Sequence, residues 1–281
     1  MKNKGIIPIN KPKDWTSFDV VNKLKYRLKP SKVGHLGTLD PMATGVLLVT
    51  VGKATKLFDL MQTKVKTYVA TFEFGYETDT LDAMGEKISQ CEKIPTDSEI
   101  LSVLPNFIGE ISQIPPRYSA KSINGTRAYE LARKNIDFEL KSKVVKIYDI
   151  KFIAYKNNTL TLEIACGSGT YIRAIWRDIA KELDTFATMT SLVRTKIDSF
   201  DLSKCYEIDE IENIDEKIIP IKEVLNFEVL KLNENQIFKI LNGQTINIAQ
   251  KNGLYFIDNE NDAVAIVQIK ENIAKMHTFL G

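Results

Sequence analysis

The segment SKVGHLGTLDPMATGVLLVTVGKATKL, residues 31–57, places one acid, Asp40, directly before a proline and an apolar run. The run Val46-Leu47-Leu48-Val49 predicts a buried strand over residues 46–51. Two glycines and a histidine lie just ahead of Asp40, at Gly34, Gly37 and His35. Because a residue before proline favours an extended backbone, we expect the Asp40 carboxylate to project outward at the edge of the core.

The local pattern leaves several roles open for Asp40. A carboxylate at such a position can be a nucleophile, a general base, a metal ligand or a side chain that shapes a turn. On the local pattern alone, the turn is the commoner of these roles. The choice among them depends on what the rest of the chain brings to the same place.

Composition narrows the class of protein. The chain has 281 residues, 44% of them apolar, which is enough for one large domain or for one large and one small domain. No run of 18 or more apolar residues and no secretory leader pattern is present, so we expect a cytoplasmic protein. The three cysteines are far apart and there are two distant histidines, so we expect reduced thiols and no metal site.

Charge is distributed unevenly along the chain. Residues 1–72 carry 13 Lys or Arg against 4 Asp or Glu, whereas residues 201–281 carry 8 against 14. A basic segment in a chain whose net charge is only +2 indicates a polyanionic partner or, equally, a solvated lysine-rich face.

On both sides of this segment, hydrophobic periodicity predicts strands and helices in irregular order, which favours an α+β fold. Residues 66–75 alternate as a strand with Tyr68, Ala70, Phe72 and Phe74 on one side. The other predicted elements are a helix over 16–28 with Phe18, Val21, Leu24 and Leu28 on one stripe, a loop over 113–125, a helical segment from 126, a strand–turn–strand–turn–helix unit over 143–183, an acidic connector over 206–217 and a hairpin in the tail.

A second group of candidate residues lies in ACGSGTYIR, residues 165–173. Gly167 and Gly169 allow a tight turn from a strand into a helix, and Tyr171 and Arg173 fall in the first helical turn. An arginine there opposes the helix dipole, so it is expected to have an acidic partner such as Asp40 or a phosphate. The alternative is a surface arginine whose stem packs on the helix. Tyr68, Tyr118 and Tyr171 could each be plain core aromatics.

Six blocks of sequence, in order, resemble the bacterial tRNA pseudouridine-55 synthase family, also called the TruB family. The central segment resembles the family signature. The other blocks are NKPKDWTSFDVV, KTYVATFEFGYETDTLDAMGE, FIGEISQIPPRYSAKSINGTRAYELAR, CGSGTYIRAIWRDIAKEL and TSLVRTKID. Together they cover Lys11 to Asp198, about two thirds of the chain. The chain departs from the family at Asp14-Trp15, where a glycine is usual.

The resemblance implies a role for each matching residue. Asp40 would be the nucleophile, Arg173 its partner, and Tyr68 would stack on the uracil. Tyr171 and Leu192 would contact the base, His35 would contact the RNA backbone, and Lys11 and Asp82 would support the site. It also implies a catalytic domain over 1–215, built on a mixed, largely antiparallel sheet with a central cleft. A small β-rich PUA-like RNA-binding domain would follow over 224–281.

The implied reaction isomerises uridine 55 in the T-loop of tRNA, on a base flipped out of its stack. Because this reaction is neither a redox reaction nor a hydrolysis, no cofactor is expected, and the partner would be the tRNA T-arm, bound by a monomer without a membrane or an obligate protein partner. The alternatives are a guide-RNA-dependent or other-site pseudouridine synthase, a hydrolase that pairs Asp40 with Asp79 or Asp82, and a non-catalytic RNA-binding module.

Overall fold

The computed structural model, which describes residues 4–28, 32–62, 64–258 and 262–281, places the strand predicted behind Asp40 within a large mixed sheet. The strands are β1 (Gly5–Lys11), β2 (Val33–His35), β3 (Thr44–Val51), β4 (Lys66–Phe74), β5 (Tyr76–Thr78), β6 (Lys87–Gln90), β7 (Gly109–Gln113), β8 (Ser122–Ile123), β9 (Thr126–Arg127), β10 (Lys143–Lys156), β11 (Thr159–Cys166), β12 (Ala187–Ile197), β13 (Phe200–Asp201), β14 (Tyr206–Glu207), β15 (Ile246–Asn247), β16 (Gly253–Asp258), β17 (Ala263–Lys270) and β18 (Ile273–Phe279).

Short helices are interspersed among the strands. They are α1 (Ser17–Arg27), α2 (Phe58–Gln62), α3 (Asp97–Val103), α4 (Ala128–Arg133), α5 (Ile172–Glu182), α6 (Ile221–Val224) and α7 (Glu234–Leu241), with 3₁₀ turns at Gly52–Leu57, Leu104–Phe107, Leu202–Lys204 and Ile214–Lys217. Within the described ranges, none of these helices has the length and apolar character needed to cross a bilayer.

The large sheet has the strand order β14-β1-β3-β12-β4-β11-β10-β7, with β2 paired to β3 and β13 paired to β12. Most neighbours run antiparallel, and β1–β14 and β3–β12 are parallel pairs. A separate sheet of order β15-β18-β17-β16 forms the C-terminal region. The predicted α+β class, with a mixed and largely antiparallel sheet, is therefore confirmed.

The alternation predicted for residues 66–75 is confirmed in β4. Tyr68, Ala70, Phe72 and Phe74 are all buried. The buried face of α5, formed by Ile172, Ile175, Trp176 and Ile179, packs against this face of β4. The rings of Phe72 and Trp176 stack with their centroids 3.8 Å apart. This packing fixes α5 against the sheet, and so places the residues of its first turn beside β4.

The first helix begins where the sequence predicts. The Thr16 hydroxyl accepts a hydrogen bond from the Asp19 amide, and the Asp19 carboxylate accepts one from the Thr16 amide, which closes a capping box. Val21 and Leu24 are buried as expected, but Phe18 is 64% exposed, so its assignment to the core stripe is wrong. Val20 takes the core-facing position instead, and Phe18 lies at the mouth of a cleft.

The turn at Asp14-Trp15 forms without a glycine. Asp14 has φ of 64°, in the left-handed region that aspartate tolerates better than most side chains. Its amide donates to the carbonyl of Pro41 at 2.9 Å. The turn therefore ties the N-terminal segment to the residue that follows Asp40.

Two of the predicted irregular segments contain more structure than expected. The acidic connector over 206–217 includes β14 and buries Ile208 and Ile211, because its apolar residues pack against β1 while its acids face solvent. The predicted loop over 113–125 begins at the end of β7 and includes β8, which pairs with β9. The helical segment predicted from residue 126 shortens to α4.

The C-terminal sheet packs against the large sheet. Phe256, Ile266 and Leu280 share one buried cluster with Val46 and Leu48 of β3. The predicted hairpin of the tail is formed by β16 and β17, and residues 259–261 of its predicted turn lie outside the described residues. The strands of the two sheets do not pair with each other, but apolar side chains from both sheets pack in one buried cluster.

Removal of residues 223–281 should therefore lower the melting temperature by more than about 10 °C. Each large side chain of β3 that loses its cover forfeits about 1.5–3 kcal/mol of burial. Thermal unfolding followed by circular dichroism measures the shift. As a control, Ile273→Ala, on an exposed face of the C-terminal sheet, should leave the melting temperature unchanged. A shortened chain that melts with the full-length protein would show that the shared cluster contributes little.

Candidate active site

One cleft beside β4 and β12 brings together most of the residues singled out in the sequence. His35, Asp40, Tyr68, Tyr171, Arg173 and Leu192 line it. Lys11 and Asp82 are buried behind its wall rather than on its surface. These residues come from separate parts of the chain, so the fold assembles the site.

Backbone contacts on both sides of Asp40 hold it in place. The Leu39 amide donates to the Ser17 hydroxyl at 2.9 Å, and that hydroxyl donates to the Leu39 carbonyl at 3.2 Å. On the other side, the Lys11 ammonium donates to the Pro41 carbonyl at 3.1 Å. The Asp40 side chain remains one-third exposed to the cleft. The carboxylate is therefore fixed from behind and accessible from the front.

Arg173 is the ion-pair partner of Asp40, as one of the two sequence interpretations expected. Its Nη2 lies 3.0 Å from Asp40 Oδ2, and its Nη1 lies 3.3 Å from Asp82 Oδ2. The side chain is 6% exposed, so the alternative of a surface arginine is wrong. The same guanidinium donates to the carbonyls of Thr80 at 2.8 Å and Tyr118 at 3.1 Å. One side chain thus joins the Asp40 loop to two further loops.

Asp82 holds Arg173 rather than opening to the cleft. Its Oδ1 accepts hydrogen bonds from the Thr80 hydroxyl at 2.8 Å and the Met84 amide at 3.0 Å, and the residue is 5% exposed. Asp79 accepts a hydrogen bond from the Glu86 amide and does not line the cleft. Neither acid forms the open carboxylate pair that a hydrolase would need with Asp40.

The pKa of Asp40 is raised above its ordinary value. Burial in the cleft is the main cause, and the Arg173 guanidinium opposes it. The contribution of the Arg173 charge is smaller than the effect of burial. The ion pair therefore limits the rise rather than reversing it.

Tyr68 forms a wall of the cleft next to Asp40. Its ring belongs to the buried cluster of the large sheet and is 8% exposed. Burial raises the pKa of its hydroxyl, while the Arg194 guanidinium, 6.0 Å from the ring centroid, opposes the rise. Tyr68 is therefore held rigidly by the core and presents only a small part of its side chain to the cleft.

Tyr68→Phe and Tyr68→Leu should separate two roles of this residue. If the hydroxyl moves a proton, the phenylalanine variant should lose turnover by about 10²-fold or more. If the ring only stacks, the phenylalanine variant should be close to wild type and the leucine variant poor. Single-turnover rates and RNA dissociation constants for both variants measure the difference. Equal activity of the two variants would exclude both roles.

The remaining predicted residues occupy supporting positions. The Gln113 side chain holds Tyr171 through the Tyr171 amide at 2.9 Å and carbonyl at 3.2 Å. Burial lowers the pKa of His35, and its Nδ1 is buried with no hydrogen-bond partner among the described residues. Lys11 donates to three carbonyls and has a pKa lowered to about 8 by burial. Its contacts stabilise the loop that presents Asp40.

The sequence interpretation missed two buried cations of the cleft, Arg194 and Lys66. Arg194 is 1% exposed and donates to the carbonyls of Val46 at 2.7 Å, Gly37 at 3.0 Å and Thr38 at 3.4 Å. It therefore ties the loop before Asp40 to β3. The two-residue alternation of β4 and β12 could have identified both residues. Lys66 lies two positions before Tyr68 on the same face of β4, and Arg194 lies two positions after Leu192 in β12.

Metal ligands are not grouped in this part of the molecule. Among the residues with described positions, no three His, Cys, Asp or Glu side chains lie together as a metal site would require.

Comparison with known proteins gives the same family along most of the chain. Residues 25–172 match the model of the TruB family pseudouridylate synthase N-terminal domain. A Mycoplasma mobile protein named tRNA pseudouridine synthase B is 39% identical over 281 residues, covering 99% of this chain and 95% of that protein. A Fusobacterium nucleatum protein of the same name is 40% identical, with 96% of each covered.

Solved structures share the fold at lower identity. A chain of an H/ACA ribonucleoprotein bound to a substrate RNA containing 2′-deoxyuridine superimposes with a TM-score of 0.71 at 21% identity, covering 100% of this chain and 86% of that one. A chain of a Cbf5-Nop10-Gar1 complex gives 0.71 at 22% identity, covering 99% and 84%. At this identity, the likeness concerns the architecture alone.

Proposed function

The chain belongs to the TruB family of pseudouridylate synthases and is therefore an isomerase that makes pseudouridine from uridine; we propose that it acts on tRNA, at uridine 55 of the T-loop. The observation that carries the proposal is the Asp40–Arg173 ion pair at the base of a cleft walled by Tyr68. The relatives that match almost the whole chain are named for activity on tRNA.

The reaction requires a carboxylate that is ionised, shielded and correctly aimed. The C1′–N1 bond of uridine breaks, a C1′–C5 bond forms, and the hydrogen lost from C5 is balanced by one gained at N1. The carboxylate can attack C1′, add to C6 or assist formation of a glycal, and each route needs the charged form. The Arg173 charge favours that form of Asp40 and fixes its orientation, and Asp82 holds Arg173.

The uridine must leave its stack to reach Asp40. Flipping a base costs a few kcal/mol, which stacking on an aromatic ring offsets. Tyr68 supplies that ring, and Tyr171 and Leu192 line the same cleft beside it. We assign His35, the last residue of β2, to contact with the RNA backbone around the flipped nucleotide.

The remaining features of the proposal concern partners and domains. We assign residues 1–215 to catalysis and 224–281 to a PUA-like domain that contributes RNA affinity. The protein would act in the cytoplasm as a monomer, without a guide RNA, an accessory protein or a cofactor.

Some basic side chains of the first 72 residues contact the C-terminal sheet instead of solvent. Lys4 donates a hydrogen bond to the Ala263 carbonyl at 2.8 Å and forms an ion pair with Asp262 at 3.2 Å.

Incubation of the purified protein alone with an unmodified tRNA transcript tests the reaction class. Nucleoside analysis should show that the uridine lost equals the pseudouridine gained, with RNA mass unchanged. Free uracil or a cleaved strand would instead support a hydrolase. A requirement for an added guide RNA would move the protein to the guide-dependent branch.

The raised pKa of Asp40 predicts an acidic limb in the rate profile. Because the ionised form reacts, the single-turnover rate should fall as pH drops through a pKa above the ordinary aspartate value of about 3.9. Rates at saturating enzyme, with RNA binding measured at each pH as a control, give the profile. A rate that stays constant down to pH 4 would contradict this prediction.

A further inference from the structure

Two phenylalanines at the mouth of the cleft have no part in the mechanism above. Phe18 of α1 is 64% exposed and Phe58 of α2 is 41% exposed, and both line the cleft that contains Asp40. Among the residues with described side chains, neither ring stacks on another aromatic ring or lies beneath a cation. One exposed phenylalanine is ordinary, but two from separate segments at one cleft indicate a binding surface.

Each of these phenylalanines is paired with a buried apolar side chain on the same helix. Phe18 and Val21 are three residues apart on α1, and Phe58 and Met61 are three residues apart on α2. Residues with this spacing share one face of a helix. Val21 and Met61 are each 4% exposed and line the same cleft. Two exposed rings therefore border an apolar floor.

The backbone on which the two rings lie is anchored to the rest of the fold. The capping box of Thr16 and Asp19 fixes the first turn of α1, which contains Phe18. In the 3₁₀ turn that leads into α2, Leu57 is buried and the Lys56 ammonium donates to the Phe279 carbonyl at 3.2 Å. Because the helices are already ordered, a ligand that contacts the rings has little backbone to immobilise.

The position of the rings identifies RNA as what covers them. They line the same cleft as His35, which we assign to the RNA backbone, and as Asp40. The cleft encloses about 960 Å³, near the upper limit of the roughly 300–1,000 Å³ that holds a drug-sized molecule, so it has room beyond one uracil. A protein segment or a second copy of the chain seated at this mouth would block the uridine from Asp40. Unpaired RNA bases, in contrast, present flat faces that stack on aromatic rings.

We propose that Phe18 and Phe58 form a stacking site for an unpaired base adjacent in sequence to the flipped uridine. The inference rests on the proposed function and assigns two substrate-binding residues beyond those that the sequence predicted. Stacking here holds the RNA loop open and so offsets part of the cost of flipping the target. Because every base has a stacking face, the site requires a base at this position but does not select which one.

Substitution of the two phenylalanines tests this role on an unmodified T-arm stem-loop. Phe18→Ala and Phe58→Ala should each raise the dissociation constant by about 10-fold. The single-turnover rate at saturating protein should stay within about threefold of wild type, as expected when uniform binding is removed. Tyrosine at either position keeps the ring and should restore affinity, whereas leucine should behave like alanine. Leu101→Ala, an exposed apolar residue of α3 outside the cleft, is the matched control and should bind as wild type does.

Removal of the base from the RNA gives a second measurement. Stem-loops that are abasic at the nucleotide before or after the target should show which neighbour stacks, because wild type should lose affinity for one of them. The protein with both alanine substitutions should show no further loss for that stem-loop, as expected for two changes that remove one interaction. Replacing the same nucleotide with any other base should leave wild-type affinity nearly unchanged. Melting temperatures of the variants establish that each is folded, and the leucine variants serve if an alanine variant is not.

Three results would overturn the inference. The first is a doubly substituted protein that binds the stem-loop as tightly as wild type. The second is full additivity of the protein substitutions with both abasic positions. The third is equal affinity of the leucine and tyrosine variants, which would mean that apolar bulk, and not a stacking face, is what the site supplies. Failure of wild type to form pseudouridine on the same stem-loop would count against the proposed function instead.

Discussion

Asp40→Asn should abolish isomerisation while tRNA binding persists. The amide is nearly the size of the carboxylate and can accept the hydrogen bond from Arg173, so the loop should keep its conformation. It cannot, however, act as the anionic nucleophile, and removal of a nucleophile costs more than about 10⁴-fold in turnover. Single-turnover conversion and filter binding on the same tRNA measure the two effects.

The matched control is Asp59→Asn, an exposed aspartate on α2, which should retain full activity. Melting temperatures of both variants should match that of wild type. An Asp40→Asn protein that still converts more than a small fraction of the substrate would remove Asp40 as the nucleophile.

Arg173→Lys should lower turnover by about 10²–10³-fold, although the charge is kept. The guanidinium contacts Asp40 and Asp82 through different nitrogens and also donates to the Thr80 and Tyr118 carbonyls. An ammonium has one nitrogen and cannot reproduce that fork, so both acids lose their fixed geometry. A misplacement of about 1 Å at a reacting group is enough for a loss near 10²-fold.

Arg177→Lys is the control for this change. Arg177 lies one turn further along α5 than Arg173, where it pairs with Asp178 and donates to the Ile114 carbonyl outside the cleft. The Arg177→Lys protein should be close to wild type in turnover rate and in tRNA binding. An Arg173→Lys protein with wild-type turnover would mean that the shared guanidinium is not needed to aim Asp40.

Periodicity predicted the strands and helices that position the site. The two-residue repeat of β4 identified the face that carries Tyr68, and the glycine turn into a helix placed Arg173 in the first turn of α5. In α1 the same reasoning misassigned Phe18, because a residue at the edge of the stripe can open onto a cleft as well as onto the core. A periodic pattern identifies the apolar face of a helix or strand, but not whether that face packs on the core or opens onto a cleft.

Contacts between distant segments could not be read in this way. The continuous apolar run of β3 indicated a buried strand, yet only the structure reveals that the C-terminal sheet covers Val46 and Leu48 while α1 covers Leu47 and Val49. Arg173 and Thr80 are 93 residues apart in sequence. The direction of the Asp40 pKa depends on the balance of burial against one charge, which sequence does not supply.

A map of pseudouridine along an unmodified tRNA, made after incubation with the purified protein alone, tests the proposed reaction and its site together. We expect full conversion at one position, uridine 55 of the T-loop, and no conversion with Asp40→Asn. A tRNA without pseudouridine, or with pseudouridine only at other positions, would contradict it.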